Sequence, residues 1–207
     1  MKIKVCGMKH AANIADVANL RPDYLGFIFY PKSPRFISEV SAELIKYVPA
    51  DIKTVGVFVN EGIGELKLKI AKHQLKTVQL HGTESTDYCA ELKNLGIEII
   101  KAFGVHPDFD FKQLEAYAPL VDYFLFDTQT PAHGGSGKVF DWKLLENYHL
   151  DKSYFLSGGI GLEHAQQIKA IPDPRLYAID VNSKFELEPG LKDVEKLKDF
   201  FGKVTSR

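Results

Sequence analysis

The sequence predicts an α/β protein, a single-domain (β/α)8 TIM barrel spanning residues 1–207. Three observations carry that expectation. Eight short apolar runs begin at positions 3, 24, 54, 77, 98, 123, 154 and 177, each about one strand-plus-helix unit from the next. Amphipathic stretches of helical period lie between them. Reactive side chains (Cys6, His81, Asp127, Ser157, Asp180 and Asn182) gather where the runs end. In a closed parallel barrel those ends share one face, the face on which barrel enzymes do their chemistry.

The elements follow in order. IKVCGM (3–8) reads as the first strand and AANIADVANL (11–20) as its helix. YLGFIF (24–29) runs into a loop stiffened by Pro31 and Pro34. TVGVFV (54–59) precedes GELKLKIAKH (64–73), and TVQLHG (77–82) precedes DYCAELKNL (87–95), with Gly96 as a stop signal. EIIKAF (98–103) and YFLFDT (123–128) are the fifth and sixth strands; a long glycine-rich loop, TQTPAHGGSGKVFDW (128–142), follows the sixth. YFLSGGI (154–160) leads into LEHAQQIKAI (162–171), and YAIDVNS (177–183) is the last strand. DVEKLKDFFGKV (193–204) closes the chain with Val194, Leu197, Phe200, Phe201 and Val204 on an inward stripe and Gly202 as a second stop signal. A helical stretch is expected after every strand. Several strands lack strict alternation, as strands buried on both faces should. None is charged or Pro-blunted like an edge strand, which favours closure over an open doubly wound sheet.

Composition narrows the function. The chain has 26 basic and 27 acidic residues, net charge −1, so neither nucleic acid nor a membrane surface is an expected partner. No run reaches the roughly 18 apolar residues of a membrane span, and MKIKVCGMKH lacks the apolar stretch of a signal peptide. Two distant cysteines, Cys6 and Cys89, make a poor disulfide framework and fit a reducing cytoplasm. The seven histidines show no paired metal-ligand spacing, so no metal is expected.

The strand ends carry the chemistry. Ser157, Gly158 and Gly159 precede a helix, where glycine backbones can approach an anion. Asp180, Asn182 and Ser183 end the neighbouring strand, and the loops after strands 7 and 8 are the recurrent phosphate site of such barrels. Cys6 can serve as a thiolate if positive charge lies near it. Asp127, after three apolar residues, is placed to keep a proton through desolvation and deliver it to a substrate oxygen. The pair comes from strands 1 and 6 and can straddle a small substrate. Arg35 offers a fork for a substrate carboxylate. His81 reads equally as a ligand contact or a backbone satisfier. Lys101 reads as a buried ion-pair partner in preference to a Schiff-base lysine. Cys89, inside a helix, reads as a small buried hydrophobe. The GGSGK of loop 6 is not a nucleotide-binding loop, since Ala132 and Val139 depart from the required pattern.

Taken together, KVCGM (4–8), YLGFIFYPKSPRFI (24–37), VGVFVN (55–60), VQLHG (78–82), FLFDT (124–128), GGSGKVFDW (134–142), LSGGI (156–160) and IDVNS with ELEPGLKD (179–183 and 186–193) resemble the phosphoribosylanthranilate isomerase family. The match covers nearly the whole chain in the family's order. The resemblance implies an eight-fold barrel without a cofactor. It implies an Amadori rearrangement of N-(5-phosphoribosyl)anthranilate to 1-(2-carboxyphenylamino)-1-deoxyribulose 5-phosphate, a step of tryptophan biosynthesis. It makes Cys6 the general base, Asp127 the general acid and Arg35 the partner of the anthranilate carboxylate, with the SGG and DVNS segments cradling phosphate. The expected protein is a cytoplasmic monomer acting on a small phosphosugar. One departure stands out: the family usually has Gly-Val where this chain has Lys184-Phe185.

Overall fold

A computed structural model describes residues 1–128 and 140–205. Eight strands, β1 (Lys2–Val5), β2 (Tyr24–Ile28), β3 (Lys53–Phe58), β4 (Thr77–Leu80), β5 (Glu98–Val105), β6 (Tyr123–Thr128), β7 (Tyr154–Leu156) and β8 (Leu176–Val181), form a closed barrel in chain order. Every pairing is parallel. Closure is made by β8 against β1, with Lys4 opposite Asp180 and Val5 opposite Val181. Ladder bonds continue past the strand ends: Cys6 N–H donates to Val181 O at 2.9 Å.

Alternation divides each strand between two cores. Tyr24, Val55, Ile100, Ala102, Leu125, Phe155 and Ala178 pack together as the filling of the barrel. Their neighbours, among them Ile3, Val5, Leu25, Phe27, Val78, Ile99, Phe124, Phe126 and Ile179, join the larger core beneath the helices. Above the filling, Cys6, Ile28 and Val57 form a small third cluster at the C-terminal rim.

The expected helices form after β1, β3, β4, β7 and β8: α1 (Ala11–Asn19), α2 (Ile63–His73), α3 (Thr86–Lys93), α4 (Ala165–Lys169) and α5 (Val194–Thr205). The connections after β2, β5 and β6 depart from the expectation. After β2 the segment 41–48 makes only turns, ending at Pro49. After β5 and β6 the chain forms 3-10 turns, Phe111–Ala116 and Trp142–Asn147, started by Asp110 and Asp141, which accept from the N–H groups of Lys112 and Lys143. Pro107 and Pro119 bound the segment after β5, and i→i+3 bonds are what a single turn or two can make.

Gly96 has φ +67°, as a helix stop requires. Gly202 does not stop α5, which continues to Thr205. It faces open space, and burial of Leu197, Phe200 and Val204 outweighs the ~1 kcal/mol that glycine costs in a helix. Most of the loop expected after the sixth strand, 129–139, lies outside the described residues. Its flanks meet where Phe140 N–H donates to Thr128 Oγ1 at 3.1 Å.

Candidate active site

Cys6, Arg35, His81, Asp127, Ser157, Gly158, Gly159, Asp180, Asn182 and Ser183 all line one cavity at the C-terminal mouth of the barrel. Closure alone achieves this, because these residues come from loops and strand ends 177 positions apart at the extremes. Ile28, Tyr30 and Val57 provide its apolar wall, and Lys184 stands at its edge.

Cys6 follows β1 directly and is buried. Glycines make room for it and for its neighbours. A Cβ on Gly26 would lie 2.7 Å from Cys6 Sγ. A Cβ on Gly7 (φ +76°) would meet Arg35 Cδ at 2.6 Å and Asn182 Oδ1 at 2.8 Å. Burial pushes the Cys6 thiol up, with Lys4 and Lys192 acting in the opposite direction.

Asp127 sits near the end of β6. Its Oδ1 accepts from Thr128 N–H at 2.7 Å, and its Oδ2 lies 3.2 Å from His81 Nε2. His81 Nδ1 is in turn 2.8 Å from Gln79 Nε2. With the Gln79 amide donating, the ring proton sits on Nε2 and points at Asp127. Of the two sequence readings for His81, neither names this contact: its ring engages a carboxylate.

The loop after β7 takes the geometry glycine permits. Gly158 has φ +91° and Gly159 +63°, and a Cβ at Gly158 would come 2.4 Å from Thr128 Oγ1 and 2.8 Å from Asp127 Oδ1. Lys184 and Phe185, which replace the family's usual Gly-Val, separate their roles. Phe185 is buried against Phe200 with ring centroids 5.0 Å apart, while Lys184 stays exposed with its backbone oxygen accepting from Lys196.

Arg35 is more enclosed than a loop arginine usually is. The loop folds back on β2 through a bridge between Ile28 and Phe36 and a bond from Ile37 N–H to Ile28 O. The Arg35 fork already engages Glu186: Nε at 2.9 and 3.0 Å, Nη2 at 2.6 Å. Glu186 also accepts from Lys192 Nζ at 2.7 Å and from Gly190 N–H at 3.1 Å. Burial opposes the charge on Glu186, but Arg35 and Lys192 prevail and hold its carboxyl below the usual range. Glu186 and Lys192 belong to a short hairpin, β9 (Glu186–Glu188) and β10 (Leu191–Lys192), that follows β8.

A family model described as N-(5'-phosphoribosyl)anthranilate (PRA) isomerase matches residues 3–203. The chain belongs to that family. An N-(5'-phosphoribosyl)anthranilate isomerase of Parabacteroides distasonis is 44% identical over 206 residues, covering 99% of this chain and 93% of the relative. A solved phosphoribosyl anthranilate isomerase in complex with reduced 1-(o-carboxyphenylamino)-1-deoxyribulose 5-phosphate is 31% identical, with TM-score 0.79, covering 99% of this chain and 98% of its own. A structure of generated monomers of a dimeric phosphoribosylanthranilate isomerase from Thermotoga maritima is 30% identical, with TM-score 0.79 and full coverage of both chains.

For this member of the isomerase family the mouth holds residues that sequence reasoning missed: Lys4, Gln79, Glu186 and Lys192. Lys4 is wholly buried and donates to Asp180 Oδ2 at 2.8 Å, leaving Asp180 Oδ1 without a partner among the described residues. Burial pushes the Asp180 carboxyl up against the pull of Lys4. A period-two reading of strand 1 carried a signal for Lys4, two residues before Cys6 and therefore on the same face. Nothing local marks Lys192. Lys101 lies outside the site, on the outer side of β5, where Glu84 Oε2 is 3.1 Å away and Gly82 O accepts from it at 2.8 Å. It is an ion-pair lysine, as read. Cys89 is buried in α3.

Proposed function

We propose that the chain converts N-(5'-phosphoribosyl)anthranilate to 1-(2-carboxyphenylamino)-1-deoxyribulose 5-phosphate, with Asp127 as acid and Cys6 as base. The observation that carries the reading is that one cavity is shared by the two groups, by the loops after β7 and β8, and by Arg35. Protonated Asp127 gives its proton to the furanose ring oxygen as the C1–O bond opens, and C1 becomes an iminium conjugated to the substrate's own nitrogen. Cys6 as thiolate then takes the C2 proton, and the C–H electron pair forms the C1=C2 bond of an enolamine. Protonation at C1 and loss of the enol proton give the ketone. The substrate nitrogen is the electron sink, so the residues have only protons to move.

Ser157, Gly158, Gly159, Asn182 and Ser183 are the proposed phosphate cradle. The N–H groups of Gly158 and Gly159 have no acceptor among the described residues, which suits them to an anion. Arg35 has Nη1 left for the anthranilate carboxylate, since Glu186 takes its other edge. His81 orients Asp127.

The test is turnover of phosphoribosylanthranilate, followed by loss of its fluorescence. Cys6→Ala and Asp127→Asn should each lower kcat by at least ~10²-fold, the range for a positioned proton-transfer group. Near-normal kcat in either variant removes that residue from its role. The proposed working form is a cytoplasmic monomer, so light scattering should give a mass near 23.3 kDa. A species of twice that mass would overturn the monomer.

A further inference from the structure

Three cations are buried around the mouth. Lys4 and Lys192 have fully buried side chains, and Arg35 is nearly buried beside them. Three buried carboxylates accompany these cations: Asp180 on Lys4, Glu186 shared by Arg35 and Lys192, and Asp127 beside His81. His81, just past β4, and Asp127 of β6 line the same cavity 3.2 Å apart, and Tyr30 and Lys184 also border it. The acid enclosed among these groups is Cys6. β1 carries it on the same face as Lys4. Lys192 comes down on the other neighbour of that strand end, donating to Asn182 Oδ1 at 2.7 Å, the atom that a Gly7 side chain would strike.

We infer that Lys4 and Lys192 are positioning residues for the isomerisation, holding the negative charge of the Cys6 thiolate that takes the C2 proton. The inference rests on the proposed role of Cys6. Its physical content is Coulombic. A buried thiolate loses hydration worth several kcal/mol, and only fixed cations in the same low-dielectric pocket replace it. Burial indeed raises the thiol, and the two lysines are the cations that oppose the rise. Asp180 works against Lys4 in this, so two ammonium groups are needed where one would be half-neutralised. Glu186 serves a second purpose: it keeps Lys192 and Arg35, two like charges, in one small volume.

The test reads Cys6 directly. Thiolate absorbance near 240 nm is titrated in the full-length protein against the Cys6→Ser variant as baseline, alongside the pH profile of kcat/KM. Lys192→Gln keeps amide donors for Glu186 and Asn182 while removing the charge, and Lys4→Gln does the same for Asp180. Circular dichroism establishes that each folds. The thiolate midpoint and the acid limb of kcat/KM should rise together by about one pH unit or more, a tenfold loss of thiolate at a given pH, and Lys192→Arg should bring both back. A merely structural lysine would change stability and leave the midpoint where it was. Folded Lys4→Gln and Lys192→Gln proteins with unmoved midpoints overturn the inference. Failure of the underlying reading looks different: Cys6→Ser would retain turnover, whatever the lysines do to the absorbance.

Discussion

Gly7 shows how narrowly a single residue is constrained at the mouth. Its φ of +76° lies where only glycine is unstrained, and any Cβ would press on both Arg35 and Asn182. Gly7→Ala should therefore cost about 1–3 kcal/mol in backbone strain and also displace Arg35, raising KM for phosphoribosylanthranilate. Urea unfolding measures the first effect and steady-state kinetics the second; a variant with unchanged stability would contradict the strain. Cys6 and Asp127 were legible in the sequence because a reactive residue that ends an apolar run is rarely filler, and a strand end fixes where it points. Glu186 and Lys192 were not legible. Their side chains look like those of any charged hairpin, and their meaning comes from Arg35, 151 residues away from Glu186.

At the scale of elements, the loop from His81 to Ser85 depends on a buried pair. Glu84 accepts from Asn60 N–H at 2.9 Å and from Gly82 N–H at 3.0 Å, and its backbone oxygen accepts from Tyr117. Lys101 from β5 neutralises it. Burial lowers Lys101 while Glu84 holds it up, so the ammonium depends on its carboxylate. Lys101→Met should cost about 3–5 kcal/mol, because it leaves Glu84 charged and buried without its cation. Denaturant midpoints read that loss, and a Lys101→Met protein as stable as the parent would show that Glu84 needs no cation. Element type followed the patterns where helices had eight or more residues to propagate, as in α1, α2 and α5. It failed after β2, β5 and β6, where the chain makes turns or 3-10 helix instead. Gly202 also misled: a glycine signals a stop only if the chain beyond it has nothing to bury, and Val204 does.

The whole molecule assembles a site that no fragment contains. A ligand that touches the ends of β1, β6, β7 and β8 at once should stabilise the closed barrel by mass action. Reduced 1-(o-carboxyphenylamino)-1-deoxyribulose 5-phosphate at 100 times its Kd should add about 2.7 kcal/mol, seen as a raised Tm, and should shield Cys6 from alkylation. A raised Tm with undiminished alkylation would put the ligand elsewhere.

The repeat of apolar runs, the eight strands and the residues at the strand ends were determined by the sequence itself, since periodicity and glycine placement are local properties. Which charge meets which was decided only by closure. Lys4 finds Asp180 across 176 residues, and Arg35 shares Glu186 with Lys192. Ion pairing depends on distances of a few ångströms and on exclusion of water, and neither exists until the last strand lies against the first.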